Sequence, residues 1–123
     1  MKKLLLSVAA CMLLVPGFAA AKDKTFSGEI MDSQCAKNGS HAMMLAKEGM
    51  AGKENDPMAK AKCTTDCVKM GGKYVLFNGA SKAVYQLDDQ TKPEQFAGQK
   101  VKITGALDKA TKTIHVTDIK AAS

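Results

Sequence analysis

The cysteines are the side chains of this sequence best suited to chemistry. The chain has four of them, Cys11, Cys35, Cys63 and Cys67. Cys63 and Cys67 lie one helical turn apart in a segment with helical spacing, so their side chains project from one face of a predicted helix. Their Cβ atoms would lie about 5–6 Å apart, whereas a disulfide needs about 3.5–4.5 Å. The spacing therefore favours two ligands of one metal ion over a bridge between these two residues.

His41 adds an imidazole to the thiols. Cys35, His41, Cys63 and Cys67 together offer the Cys3His donor set of a closed tetrahedral zinc site. The set also suits Cu(I), which prefers soft donors and could recruit thioethers. Six of the eight methionines fall in the same segment of the sequence, namely Met31, Met43, Met44, Met50, Met58 and Met70. The cofactor that this interpretation predicts is zinc or copper.

A structural disulfide is the alternative interpretation. Three cysteines remain if Cys11 is removed with a leader, so a bridge from Cys35 to Cys63 or Cys67 would leave one buried thiol. Such a bridge would pin the cysteine segment onto the rest of the domain. A third interpretation, a redox-active thiol, needs a helix N-terminus or a cation to lower its pKa, and Cys63 is predicted in the middle of a helix.

The composition predicts neither an enzyme nor a nucleic-acid-binding protein. Ser, His and Asp residues occur, but no pattern in the sequence assembles a nucleophile, a base and an orienting group. All eighteen basic residues are Lys, so the bidentate fork with which Arg recognises phosphate and guanine is missing. Two Tyr and four Phe make a poor base-stacking platform.

The N-terminus predicts export. A basic start, an apolar run from Leu4 to Val15 and small residues at Ala19 to Ala21 form a signal peptide over residues 1–21, cleaved after Ala21. The run is shorter than the roughly 20 residues that span a bilayer. A rival interpretation is a lipoprotein leader with Cys11 lipidated. The expected location is periplasmic or secreted, without a transmembrane segment.

Five segments have the period of strands, near residues 25–31, 73–77, 82–88, 99–107 and 112–119. A helical insertion at about 32–72, with helices at 41–47 and 57–70, separates the first two strands. A short helix near 91–98, with Thr91 as its predicted cap, separates the third and fourth. This order predicts a mainly β domain over residues 22–123, an OB-like five-stranded barrel.

One face of each predicted strand is apolar and should fill the barrel. The predicted inward set is Phe26, Ile30, Leu76, Tyr85, Leu87, Val101, Ile103, Leu107, Ile114 and Val116. Gly28 and Gly105 are expected to supply the tight bends that a small barrel needs.

Several segments carry a resemblance to a known group of proteins. They are Gly28 to Ala36 with its Gly-x3-Asp-Ser-x-Cys pattern, His41, Cys63-x3-Cys67, Gly72 to Leu76, Val84 to Asp88, Phe96 to Gly98, Val101 to Leu107 and Thr113 to Val116. Together they resemble an uncharacterised family of small secreted bacterial proteins. The resemblance implies an OB-like barrel and export, and it implies no established activity. The architecture is distantly similar to periplasmic bacterial OB-fold stress-tolerance proteins, which lack this cysteine cluster.

From the sequence we therefore expect a non-enzymatic periplasmic binding or structural module, with its insertion pinned to the barrel by a disulfide. A Zn(II) or Cu(I) protein and a thiol-redox protein are the alternatives. The expected partner is an envelope ligand or protein, and the expected state is a monomer. The formal charge of +6 falls to +4 without Lys2 and Lys3, which gives only a weak, salt-screened attraction to anionic surfaces.

Overall fold

The domain is built on one five-stranded sheet. The structure, a computed structural model, describes residues 22–122. The strands are β1 (Lys24–Asp32), β2 (Tyr74–Phe77), β3 (Val84–Leu87), β4 (Lys100–Asp108) and β5 (Thr113–Ala121). The sheet closes on itself in the order β1-β2-β3-β5-β4, a closed barrel. The β3–β5 pair is parallel, and the other four pairs are antiparallel. The chain is therefore mainly β, as predicted.

The barrel core follows from the alternation of the strands. In β4, Val101 and Ile103 are buried while Lys100 and Lys102 are exposed, as the alternation of apolar and charged residues predicts. All ten residues of the predicted inward set belong to the core cluster or pack against it. The cluster also contains Tyr74 and Ile119.

Gly105 and Gly28 lie where two strands approach closely. The β4–β5 pairing shifts register between Thr104 and Gly105, and a Cβ on Gly105 would lie 2.3 Å from the carbonyl oxygen of His115. A Cβ on Gly28 would lie 2.5 Å from the carbonyl oxygen of Phe77 in β2. A side chain at either position would push neighbouring backbone apart, so both positions require glycine.

Three helices lie between β1 and β2, namely α1 (Ser33–Asn38), α2 (Ala42–Lys47) and α3 (Pro57–Lys69). The sequence pattern predicts α2 and α3 but not α1. α1 forms because Asp32 caps it and Gly39, at φ 77°, ends it in the left-handed region.

Aspartates begin two further helical segments. Asp56 caps α3, with Pro57 in its first turn. The short helix between β3 and β4 is a 3-10 helix, Lys92–Phe96. Thr91 was expected to cap it, but its side chain makes no capping hydrogen bond. The Asp89 carboxylate instead accepts the Thr91 and Lys92 N–H groups, because a carboxylate is the stronger acceptor.

The predicted signal peptide at residues 1–21, and Cys11 within it, lie outside the described residues. Within residues 22–122, no helix combines the length and the apolar character needed to cross a membrane.

Candidate metal centre

A second buried cluster lies beside the barrel core. It contains three thiols, Cys35 of α1 and Cys63 and Cys67 of α3, together with Leu45 and Ala59. We call Cys35, Cys63 and Cys67 the thiol cluster. The three sulfurs meet because Asp32 starts α1 at the end of β1, which places Cys35 against the face of α3 that carries the other two cysteines.

The cysteine-bearing face of α3 meets both the helical segment and the end of β1. Cys63 and Cys67 lie in a buried cluster with Cys35 of α1 and Leu45 of α2, and Cys67 is also grouped with Asp32 at the end of β1. Val68 is the α3 residue that packs against the barrel core. The four-residue spacing fixes a shared face of the helix, whereas it does not say which neighbour that face meets.

Cys35, His41 and Cys63 form the first candidate ligand group. The Cys35 and Cys63 Sγ atoms are 4.0 Å apart, and the ligand atoms of all three residues lie within 4.8 Å of one another. The cysteines of the described chain are free, and 4.0 Å is about twice the S–S bond length of 2.05 Å. Two thiolates bound at about 2.3 Å to one zinc ion lie about 4 Å apart. The two sulfurs are therefore already spaced as ligands of one ion.

Glu29 orients the His41 ring. The Nε2 atom of His41 lies 3.1 Å from Glu29 Oε1, and Lys60 Nζ lies 3.1 Å from the same oxygen. Burial raises the pKa of Glu29, but the hydrogen bonds from His41 and Lys60 outweigh it, so the net shift is downward. The other ring nitrogen, Nδ1, is buried and has no hydrogen-bond partner among residues 22–122. A histidine that ligates a metal is typically held by a carboxylate in this way.

Asp32 belongs to a second candidate ligand group, with Cys35 and Cys67. Its side chain is fully buried. One carboxylate oxygen, Oδ2, accepts the N–H groups of Gln34 at 3.0 Å and Cys35 at 3.1 Å. The other oxygen, Oδ1, is buried without a partner in the described part of the chain. Capping therefore occupies only half of the acceptor capacity of this carboxylate.

The protein environment keeps the thiols protonated. Burial, and then the Asp32 carboxylate, raise the pKa of Cys35 far above its ordinary value. The same two causes raise the pKa of Cys67 to about 12, and burial raises the pKa of Cys63. A reactive redox cysteine needs the opposite shift and some access to solvent. The raised pKa values and the burial of these thiols therefore do not favour the thiol-redox interpretation.

The four predicted ligands divide between the two groups. Cys35, His41 and Cys63 lie together, while Cys67 joins Cys35 through the group that contains Asp32. Asp32 was not among the predicted ligands. The Asp-Ser-x-Cys pattern could have indicated it, because an N-cap aspartate three residues before a cysteine bonds that cysteine's N–H.

The methionines do not share one environment. Met44 and Met50 pack against the buried cluster that the thiols form with Leu45 and Ala59, whereas Met31 lies in another apolar cluster. The remaining three are exposed: Met43, Met58 and Met70. Two of the six methionines therefore pack against the buried cluster that contains the thiols.

Thr64 provides a test of the packing around the thiols. Its side chain is fully buried, and its Oγ1 atom has no hydrogen-bond partner within the described residues. Thr64→Val keeps the shape and removes the buried hydroxyl, so we expect the free energy of unfolding to rise by about 1 kcal/mol. Urea unfolding of the two proteins measures this difference. A loss of 1 kcal/mol or more would show that the hydroxyl is satisfied.

Comparison with known proteins finds a family that is similar to part of the chain. No curated protein and no solved structure matches this chain. Of the five residues in the two ligand groups, the segment matched by a family model contains only Cys67. The chain is similar, over residues 66–122, to the family described as "Protein of unknown function (DUF5818)".

Proposed function

We propose that this protein is an exported, non-enzymatic metal-binding module, in which Cys35, His41 and Cys63 hold a soft metal ion of the zinc or copper class. One observation carries the proposal. Two thiol sulfurs lie 4.0 Å apart in one group with a buried histidine whose Nδ1 has no partner in residues 22–122.

A metal ion would remove the cost of leaving Nδ1 unpaired. A buried polar atom without a partner costs about 1–3 kcal/mol. Glu29 accepts a hydrogen bond from Nε2, which places the ring proton on Nε2. The lone pair is then left on Nδ1. Nδ1 then carries a lone pair that a metal can bind, on a residue that is grouped with two thiols, and Zn(II) and Cu(I) both bind sulfur and imidazole together.

The metal is a better match to the sulfur geometry than the disulfide from Cys35 to Cys63 or Cys67. A bridge between Cys35 and Cys63 needs the sulfurs to approach by about 2 Å, while shared ligation at about 2.3 Å per bond needs almost no movement. A bridge would also leave His41 Nδ1 without a partner. The disulfide stays a prediction that oxidation of the protein would test.

The scaffold that we propose for this centre is an OB-like barrel. The strand order β1-β2-β3-β5-β4 with its parallel β3–β5 pair, and a short helical segment between β3 and β4, support this assignment. The leader that the sequence predicts at residues 1–21 supports export to the periplasm or beyond. An exported protein meets metal ions outside the cytosol, where an accessible thiol is readily oxidised. Burial protects these thiols from that fate.

Metal titration of the purified, reduced protein tests the proposal. With a competing chelator present, we expect Zn2+ or Cu(I) to bind with an apparent Kd below about 100 nM. His41→Ala should weaken this binding at least tenfold. His115→Ala is the matched control, because His115 is exposed on β5 and pairs with Asp88. Binding no tighter than micromolar, or equal loss in both variants, would contradict the proposal.

Glu29→Gln should lower the metal affinity by about 10- to 100-fold, because it removes the carboxylate that orients His41. The competition titration measures the change, and Glu94→Gln, an exposed change on the 3-10 helix, is the control. Unchanged affinity in Glu29→Gln would mean that His41 needs no orienting carboxylate.

Metal affinity should rise steeply with pH. Because the thiols of Cys35 and Cys63 have raised pKa values, both are protonated at neutral pH and each must lose a proton to bind metal. Two protons released per ion give an increase of about two log units in the binding constant per pH unit. Titrations between pH 7 and 8.5 measure the slope. A slope near zero would exclude thiolate ligation.

A further inference from the structure

We propose that the centre holds two divalent, thiophilic metal ions, with the Cys35 sulfur bridging them. This inference rests on the proposed function and extends it. The first ion takes Cys35, His41 and Cys63. The second takes Cys35, Cys67 and Asp32.

The two ligand groups carry the geometric argument. Each consists of three buried residues whose ligand atoms lie within 4.8 Å of one another, and Cys35 is the member that they share. Each group also contains one buried polar atom without a partner in the described chain, His41 Nδ1 in the first and Asp32 Oδ1 in the second. A single ion in the first group would leave Asp32 Oδ1 unsatisfied. A second ion satisfies it.

The charge of the ligands agrees with two ions. Three thiolates and the Asp32 carboxylate bring four negative charges into a region where Asp32, Cys35 and Cys63 are fully buried and Cys67 is 3% exposed. With one divalent ion on Cys35, His41 and Cys63, Cys67 stays a neutral thiol and the charge of the buried Asp32 carboxylate is left uncompensated, which is costly away from water. Two divalent ions cancel all four. Glu29 and Lys60 form a pair of their own and do not change this balance.

The competing arrangement is one tetrahedral ion bound by Cys35, His41, Cys63 and Cys67. It requires Cys67 to turn toward the first group, and it leaves the buried Asp32 oxygen with no ligand role. Zinc stoichiometry separates the two arrangements, because they predict different numbers of ions per chain from the same protein.

Native mass spectrometry of the reduced, Zn2+-saturated protein gives the stoichiometry. We expect two ions per chain, falling to one in Cys67→Ala, one in Asp32→Asn and one in His41→Ala. Asp32→Asn is the most informative variant, because asparagine caps a helix as well as aspartate does and so preserves α1. Circular dichroism checks that each variant is folded. X-ray absorption at the zinc edge should show a zinc–zinc distance of about 3.5–4 Å.

Three outcomes would overturn the inference. One ion per wild-type chain, weakened in Cys67→Ala, would indicate the single tetrahedral site. One ion that neither Cys67→Ala nor Asp32→Asn affects would confine binding to the first group and leave the proposed function intact. The absence of bound zinc would overturn the inference and count against the proposed function as well, and the Cu(I) titration would then decide the latter.

Discussion

Cys35→Ala is expected to abolish the stabilisation of the protein by metal. A ligand that binds only the folded state at a thousand times its Kd stabilises that state by about 4 kcal/mol. For a domain of about 100 residues this raises Tm by roughly 16–30 °C. Cys35 belongs to both ligand groups, so its loss removes the sulfur on which each depends. Thermal melts with and without Zn2+ measure the effect.

Thr64→Val is the matched control for this experiment. Thr64 lies next to Cys63 on α3 and is equally buried, but it is not a candidate ligand. This variant should keep the full increase in Tm on adding Zn2+. If Cys35→Ala gains as much stability from zinc as the wild type does, the ion binds elsewhere and the centre described above is wrong.

Gly98→Ala is expected to lower the free energy of unfolding by about 3 kcal/mol. Gly98 follows the 3-10 helix at φ +74°, and a Cβ there would lie 2.6 Å from the backbone nitrogen of Ala61 in α3. Its N–H also donates to the carbonyl of Ile30 at 2.8 Å. An alanine would therefore be strained and would push α3 away from the barrel. Urea unfolding measures the loss.

Gly52→Ala separates the two causes of this loss. Gly52 has a similar φ of +82°, but a Cβ there meets nothing within 4 Å. It should cost only the backbone strain, about 1 kcal/mol. Because α3 carries Cys63 and Cys67, Gly98→Ala should also weaken metal binding, and Gly52→Ala should not. Equal destabilisation by the two variants would show that α3 adapts freely at this contact.

The barrel strands could be predicted from the sequence because their burial is decided locally. In β4 and β5, apolar and polar residues alternate with the period of the pleat, so Val101, Ile103 and Ile114 identify their own inward face. No such pattern exists for α1. Its six residues form a helix because Asp32 can cap it and Gly39 can end it, and both roles are equally typical of a turn.

The candidate site could be predicted only in part. Residue types and spacing pointed to Cys35, His41, Cys63 and Cys67. Which of them lie together depends on how α1, α2 and α3 pack against one another, and that is a tertiary property. Asp32 and Glu29 were not among the predicted site residues. Their importance lies in one unpaired oxygen and one contact to His41, and neither is visible in a linear sequence.

The central claim is that the thiols hold a metal ion. It is tested most directly by measuring metal content and free thiols together, on protein purified from its native source without an affinity tag. We expect a thiophilic metal in stoichiometric amount, and Cys35, Cys63 and Cys67 titrating as thiols once the metal is removed by a chelator under denaturing conditions. Metal-free protein with one titratable thiol and a disulfide from Cys35 to Cys63 or Cys67 would contradict the account.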